Sequence, residues 1–149
     1  MLIGHIAVSI LTHRVLGTKM VPTLIGGLFP DMVDKTLCQV LHVTPNGRMW
    51  AHTLVSLTAS TSLIRLFAGK EMARAWGLGY AGHFLADSPG TLPLGYPFRS
   101  YTFTQSPGFH EILQRFFEQR DKVALEIVLL GVALLAVAQP RSPRRNSVG

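Results

Sequence analysis

Several apolar stretches of this chain carry a histidine or an aspartate where a hydrophobic core would normally place leucine. His5 lies in the apolar run 2–16. Asp31 and Asp34 follow the apolar run 20–29, His52 opens the segment 53–67, and His83 and Asp87 lie in 72–87. Leaving that many ionisable groups unpaired in an apolar interior would cost several kcal/mol each. A chain with this pattern must therefore fold so that these groups meet each other, or meet something that binds them.

The apolar runs have helical spacing. Residues 2–16 place Ile3, Ile6, Val8, Ile10, Leu11 and Val15 on most sides, with His5, Ser9, Thr12 and His13 as a polar stripe. A helix apolar nearly all round is buried in protein or in lipid. Residues 20–29 form a second, short helix that the Gly26-Gly27 pair stops. Pro30-Asp31 then opens a third over 32–42, with Asp31 as a candidate N-cap and Asp34 three positions later. After the turn Pro45-Asn46-Gly47, a helix over 53–67 carries leucines on one side and Ser56, Thr58, Ser60, Thr61 and Ser62 on the other. The helix over 72–87 is small-sided, with Gly77, Gly79, Ala81, Gly82 and Ala86, and close packing is needed to offset its glycines. His83 and Asp87 are four apart and share a face. Residues 91–108 form a long aromatic loop, suited to a lid or a membrane-interface belt. Ser106-Pro107 starts another helix that runs to about Arg120.

Residues 123–138 are the most apolar segment. As a helix it is ~24 Å long, short of a ~30 Å hydrocarbon core, so it either packs as a core helix or anchors the chain in a thin bilayer. Charged residues make up only 15% of the chain, mean hydropathy is +0.30 and net charge is +6. A basic, apolar chain of this kind favours anionic lipid over nucleic acid as its partner, and no basic groove interleaved with aromatics is present. Cys38 is the single cysteine, which excludes an intrachain disulfide. The expected architecture is all-α: one membrane-associated bundle of about five or six helices over 1–138, followed by a disordered basic tail over 139–149.

Taken singly, His5 reads as a hydrogen-bonded core histidine, Asp31 as a helix cap, and His83 with Asp87 as a hydrogen-bonded pair. Together they form a set of nitrogen and carboxylate donors suited to zinc, manganese or iron. Six candidates, His5, Asp31, Asp34, His52, His83 and Asp87, exceed the needs of one tetrahedral ion, so one or two divalent metals are expected.

The order and spacing of these residues resemble a family of bacterial inner-membrane, metal-dependent hydrolases of the LexA-binding type. The resemblance rests on His5, on Gly26-x-x-x-Pro30-Asp31 with Asp34 after it, and on Arg48-x-Trp50-x-His52-Thr53. It continues through Gly79-x-x-x-His83-x-x-x-Asp87 to Pro97-Phe98, covering residues 1 to about 98. That family is in turn similar to zinc-dependent phospholipase C. The resemblance implies a helical metalloenzyme at the inner membrane that hydrolyses a phosphoester, phospholipid-like or nucleotide-like, with metal-activated water. Arg48 would hold the substrate phosphate, and Asp34 would be a ligand or a base beside the metal. Gly47 stands where the family has a histidine, and Met49, Ala51 and Thr53 also depart from its pattern. The competing expectation is a non-catalytic membrane protein, or a pseudo-enzyme, that keeps the scaffold to bind a partner.

Overall fold

A computed structural model describes residues 2–87, 92–106, 111 and 118–139. Among these residues the protein is all-helical, without strands. Five α-helices have both ends among the described residues, α1 (Leu2–Leu16), α2 (Met20–Lys35), α3 (Leu54–Ala68), α4 (Lys70–Ala86) and α5 (Arg120–Ala138), with a π-helical turn, Thr36–Val40, continuing α2. The expected helix over 107–120 and the tail beyond Gln139 lie almost wholly outside the described residues.

The helices α1, α2 and α4 pack on one another, α3 lies against α4, and α5 lies against α1. This order explains the sequence of α1, which has partners on three sides and is accordingly apolar nearly all round. Gly17, at φ +63°, ends it by donating to the His13 carbonyl.

The glycine pair does not stop α2. The helix runs through Gly26, Gly27 and Pro30 to Lys35, and Asp31 is an interior residue rather than a cap. The glycines serve packing instead. A Cβ on Gly26 would sit 2.3 Å from the Trp76 carbonyl oxygen, and one on Gly79 would sit 2.0 Å from that of Thr23. The backbones of α2 and α4 therefore touch, which only glycine on both helices allows. A Cβ on Gly27 would lie 2.0 Å from Ser9 Oγ, so α1 closes on the same spot. Pro30 has no N–H for the Gly26 carbonyl. The next carbonyl along, that of Gly27, is the one that accepts from His83 Nδ1.

Helix α3 is capped by Thr53, whose hydroxyl accepts from the Ser56 amide. Its hydroxyl stripe receives the aromatic side of α4: Trp76 Nε1 donates to Ser60 Oγ, and the Ser56 hydroxyl pairs with Tyr80 Oη, which accepts from it. Trp76, Tyr80, Phe84 and Leu92 form the main apolar core, and Ala7, Ile10 and Ala133 form a smaller one between α1 and α5. The loop 92–106 straps the segment before α3. The Leu54 amide donates to Leu94, that of Ser106 donates to Pro45, and Trp50 meets Tyr96 edge-on.

No helix among the described residues is long and apolar enough to cross a membrane. Arg120, Asp121 and Lys122 open α5, and Glu126 follows one turn on. The uninterrupted apolar stretch is then Ile127–Ala138, about 18 Å of helix.

Candidate metal centre

Five polar side chains from four parts of the fold meet between α1, α2 and α4. These are His5 from α1, Asp31 from α2, His52 from the turn before α3, and His83 and Asp87 from the end of α4. All five are buried. His52 Nε2 and His83 Nε2 are 3.2 Å apart. Asp31 Oδ1 lies 3.7 and 4.0 Å from these two atoms, and Asp87 Oδ2 lies 3.6 and 3.9 Å from them. His5 Nε2 is 3.2 Å from Asp87 Oδ1 and 3.7 Å from Asp31 Oδ2, and its ring stacks on that of His83 at 3.9 Å.

The protons of two rings follow from their partners. A carbonyl can only accept, so His83 Nδ1 donates to Gly27 O at 2.7 Å. The neutral ring then carries a lone pair on Nε2. His52 Nδ1 lies 2.8 Å from Asp34 Oδ2. Burial alone would raise the Asp34 carboxyl. Hydrogen bonds from His52 and from the Ala51 and Met49 amides more than offset this and hold it below the ordinary 3.8. An ionised Asp34 accepts the Nδ1 proton, so His52 Nε2 is also a lone pair. The two lone pairs face each other at 3.2 Å. A proton between them is disfavoured on the His83 side, where burial and then the neighbouring His5 push that ring down to about 4. His5 adds a third imperfectly used ring. Its Nδ1 is buried without a hydrogen-bond partner, and its Nε2 meets Asp87 outside hydrogen-bond alignment.

Two carboxylates complete the set. Burial raises Asp31, but Lys35 Nζ at 2.5 Å and the rings of His83 and His5 hold its carboxyl below 3.8. Burial likewise raises Asp87, and the His5 ring, the Arg48 guanidinium and His83 bring it far below the usual carboxylate range. Arg48 Nε is 2.9 Å from Asp87 Oδ2. Asp87 is the C-cap of α4 and faces the negative end of that helix. Its cationic neighbours offset that term.

These donors fit a divalent cation. His5, His83 and Asp87 form one group whose ligand atoms lie within 4.8 Å of one another, and Asp31, His52 and His83 form another. Ligand bonds of roughly 2.0–2.2 Å separate neighbouring donors in a tetrahedral shell by about 3.3–3.6 Å, close to the spacings seen here. Converging lone pairs and ionised carboxylates are what such an ion requires.

Asp34, expected among the ligands or as a base, is placed behind the His52 ring instead. It is fully buried, and its oxygens accept from the amides of Met49, Trp50, Ala51 and His52 as well as from the ring. A carboxylate so fully engaged has no lone pair directed at the shared space. Arg48 stands at the edge of the cluster, with its side chain 40% exposed.

Two participants carried no signal that spacing could isolate. Lys35 pairs with Asp31 across one turn of α2, visible only once that helix is known to be continuous. Tyr80 Oη donates to the Ala51 carbonyl and so fixes the turn that feeds Asp34. That contact joins residues 29 apart in sequence. Burial, and then Asp34, raise the Tyr80 phenol to about 12, where it stays a donor.

Comparison with family models, with curated proteins and with solved structures finds no match.

Proposed function

We propose that this chain is a metal-dependent hydrolase of a phosphoester that works at a membrane surface. The observation that carries the reading is the pair of histidine lone pairs converging at 3.2 Å between two ionised carboxylates. His5, Asp31, His52, His83 and Asp87 would hold one zinc, manganese or iron ion. One ion is favoured over two because both donor groups use His83, whose Nε2 has a single lone pair to give. Bound there, such an ion supplies Lewis acidity, polarising a phosphoryl oxygen and acidifying water.

The chain's own residues do the positioning. Asp34 fixes the His52 tautomer and ring direction, as a carboxylate behind a ligating histidine does elsewhere. The Gly27 carbonyl does the same for His83. Arg48 reaches the cluster from solvent with a planar fork that matches phosphate oxygens. The order of His5, Asp31, His52, His83 and Asp87 along the chain also agrees with the resemblance to inner-membrane hydrolases.

Membrane attachment is supported by the outer face of α5. Leu125, Ile127, Val128, Val132, Leu134 and Leu135 are all exposed there, a contiguous apolar surface of the kind that lipid or a partner covers. The helix would lie along the interface of the bacterial inner membrane, with Arg120 at one end and Arg14, bound to the Gln139 carbonyl, at the other.

Elemental analysis of detergent-purified protein tests the metal reading, followed by hydrolysis of a generic phosphodiester or monoester by the loaded protein. About one equivalent of metal with turnover is the expected result, and absence of metal refutes it. A metal-binding protein without turnover is the second reading. Gly47 favours it, because it leaves no side chain where the resembling hydrolases carry a histidine.

A further inference from the structure

Each carboxylate of the cluster brings both of its oxygens close to imidazole nitrogens. For Asp31, Oδ1 lies 3.7 Å from His52 Nε2 and 4.0 Å from His83 Nε2, and Oδ2 lies 3.7 Å from His5 Nε2. For Asp87, Oδ1 lies 3.2 Å from His5 Nε2, and Oδ2 lies 3.6 and 3.9 Å from the other two rings. By position alone, either aspartate could chelate an ion through two oxygens. Lys35 separates the two oxygens of Asp31. Its Nζ lies 2.5 Å from Oδ2, which leaves Oδ1 as the oxygen beside the facing lone pairs of His52 and His83. One oxygen of Asp87 is engaged in a similar way, with Arg48 Nε 2.9 Å from Oδ2.

The Lys35 contact is built to persist. Lys35 and Asp31 are four residues apart on one continuous helix, so a single turn joins them. The lysine stem runs beside buried Gly47, where a Cβ would lie 3.7 Å from Lys35 Cγ, 3.8 Å from Ser106 Oγ and 4.0 Å from Cys38 Cβ. The absence of a side chain at 47 thus leaves the stem its room. An ammonium has three donors and no acceptor, so Lys35 can hold a carboxylate oxygen but cannot ligate a metal. Withdrawing it would leave that oxygen buried and unpaired, a costly state.

The number of donors shows what this contact is for. His5, Asp31, His52, His83 and Asp87, each giving one atom, fill five positions around an ion. An octahedral shell has six, and a second oxygen from Asp31 would close it. A catalytic ion keeps a position open. Resting on the metal-hydrolase reading above, we infer that Lys35 is a positioning residue: by retaining Asp31 Oδ2 it limits Asp31 to ligation through Oδ1, and so keeps one coordination position open for a substrate oxygen.

The test uses Co2+, which occupies such donor sets and whose visible absorption weakens as its shell fills from five ligands to six. Co2+ is added to the full-length protein and counted by elemental analysis, and azide is then titrated in as a small ligand for the open position. The unsubstituted protein should bind Co2+ and change its spectrum with azide. Lys35→Met frees Asp31 Oδ2 to chelate. It should still bind Co2+, with weaker absorption and loss of the azide response, and Lys35→Arg should restore both. Lys35→Met combined with Asp31→Asn removes the ion pair as a unit and leaves no carboxylate unpaired at 31. An amide ligates through its single oxygen, so this double variant should recover the absorption and the azide response of the unsubstituted protein. It also lacks the lysine charge, so a recovered response shows that loss of that charge is not what silenced azide in Lys35→Met. Absence of Co2+ binding by the unsubstituted protein overturns the metal reading and this inference together. Co2+ binding there without an azide response overturns this inference alone, as does a Lys35→Met protein that keeps the original spectrum or loses Co2+. Should Lys35→Met fail to fold, the double variant decides: a recovered azide response supports the inference, and a filled shell overturns it.

Discussion

The contact between α2 and α4 and the contact between α1 and α5 are built on opposite terms. In the first, backbone meets backbone through Gly26 and Gly79, and the side chains enclosed nearby are His5, His52, His83, Thr23, Asp34 and Ser9. In the second, Ala7, Ile10 and Ala133 make a thin apolar seam, while the larger apolar residues of α5 face outward. Polar groups lie inside and leucines outside, the reverse of an ordinary soluble domain. An interior of this kind has little hydrophobic burial to draw on. It depends on close backbone approach, on hydrogen bonds among the enclosed polar groups and, in the proposed function, on a bound cation.

The comparison breaks most visibly at a glycine. Gly79→Ala should destabilise the fold by about 3 kcal/mol or more, because the new methyl meets the Thr23 backbone and the helices must separate. Gly131→Ala on α5, where a Cβ meets nothing within 4 Å, should instead be neutral or stabilising by up to about 1 kcal/mol. Chemical denaturation of the two variants side by side measures the contrast.

Asp87→Asn keeps shape and removes one ligand charge. Metal occupancy should fall by about tenfold or more, and adding His83→Ala should cost little beyond that, since both residues serve one centre. Full metal content in Asp87→Asn, measured by elemental analysis, would remove Asp87 from the site.

Acid should act on the interior before the exterior. His83 titrates at about 4 in the folded chain against an ordinary 6.5. Its folded value is the lower one, so between these values the unfolded chain binds a proton that the folded chain refuses. Stability is then complete above about pH 6.5 and declines as pH falls toward about 4. Asp31 and Asp87, both held below 3.8, add a further loss at lower pH still. Thermal melts of chelator-treated protein across this range provide the check, and a flat profile would show that the cluster is not the acid-sensitive element.

Smaller effects test the supports of each contact. Tyr80→Phe removes the donor to the Ala51 carbonyl and should cost about 1 kcal/mol, with weaker metal binding through the Asp34–His52 pair. Leu135→Gln on the outer face of α5 should change unfolding free energy by less than about 0.5 kcal/mol, because Leu135 is 67% exposed. Its effect should appear only as weaker sedimentation with anionic vesicles.

Periodicity alone identified an all-helical chain, and polar residues at apolar positions marked five residues that the fold brings together. It also placed His83 and Asp87 on one face, because a four-residue interval on a helix permits little else. The α2 boundary could not be read this way. Glycine and proline stop an isolated helix, and only the close approach of α4 makes them a packing surface within a continuous one. Asp34 shows the same limit at the site. One turn from Asp31, it has the same residue type and the same local context, so sequence gives both carboxylates one role. Tertiary structure separates them, because the turn 49–52 brings four amides to Asp34 while Asp31 faces the histidines. Local spacing fixes which face of a helix a residue occupies. What lies opposite that face is decided by segments distant in sequence, and here that determines whether a carboxylate belongs to the donor cluster or stands behind it.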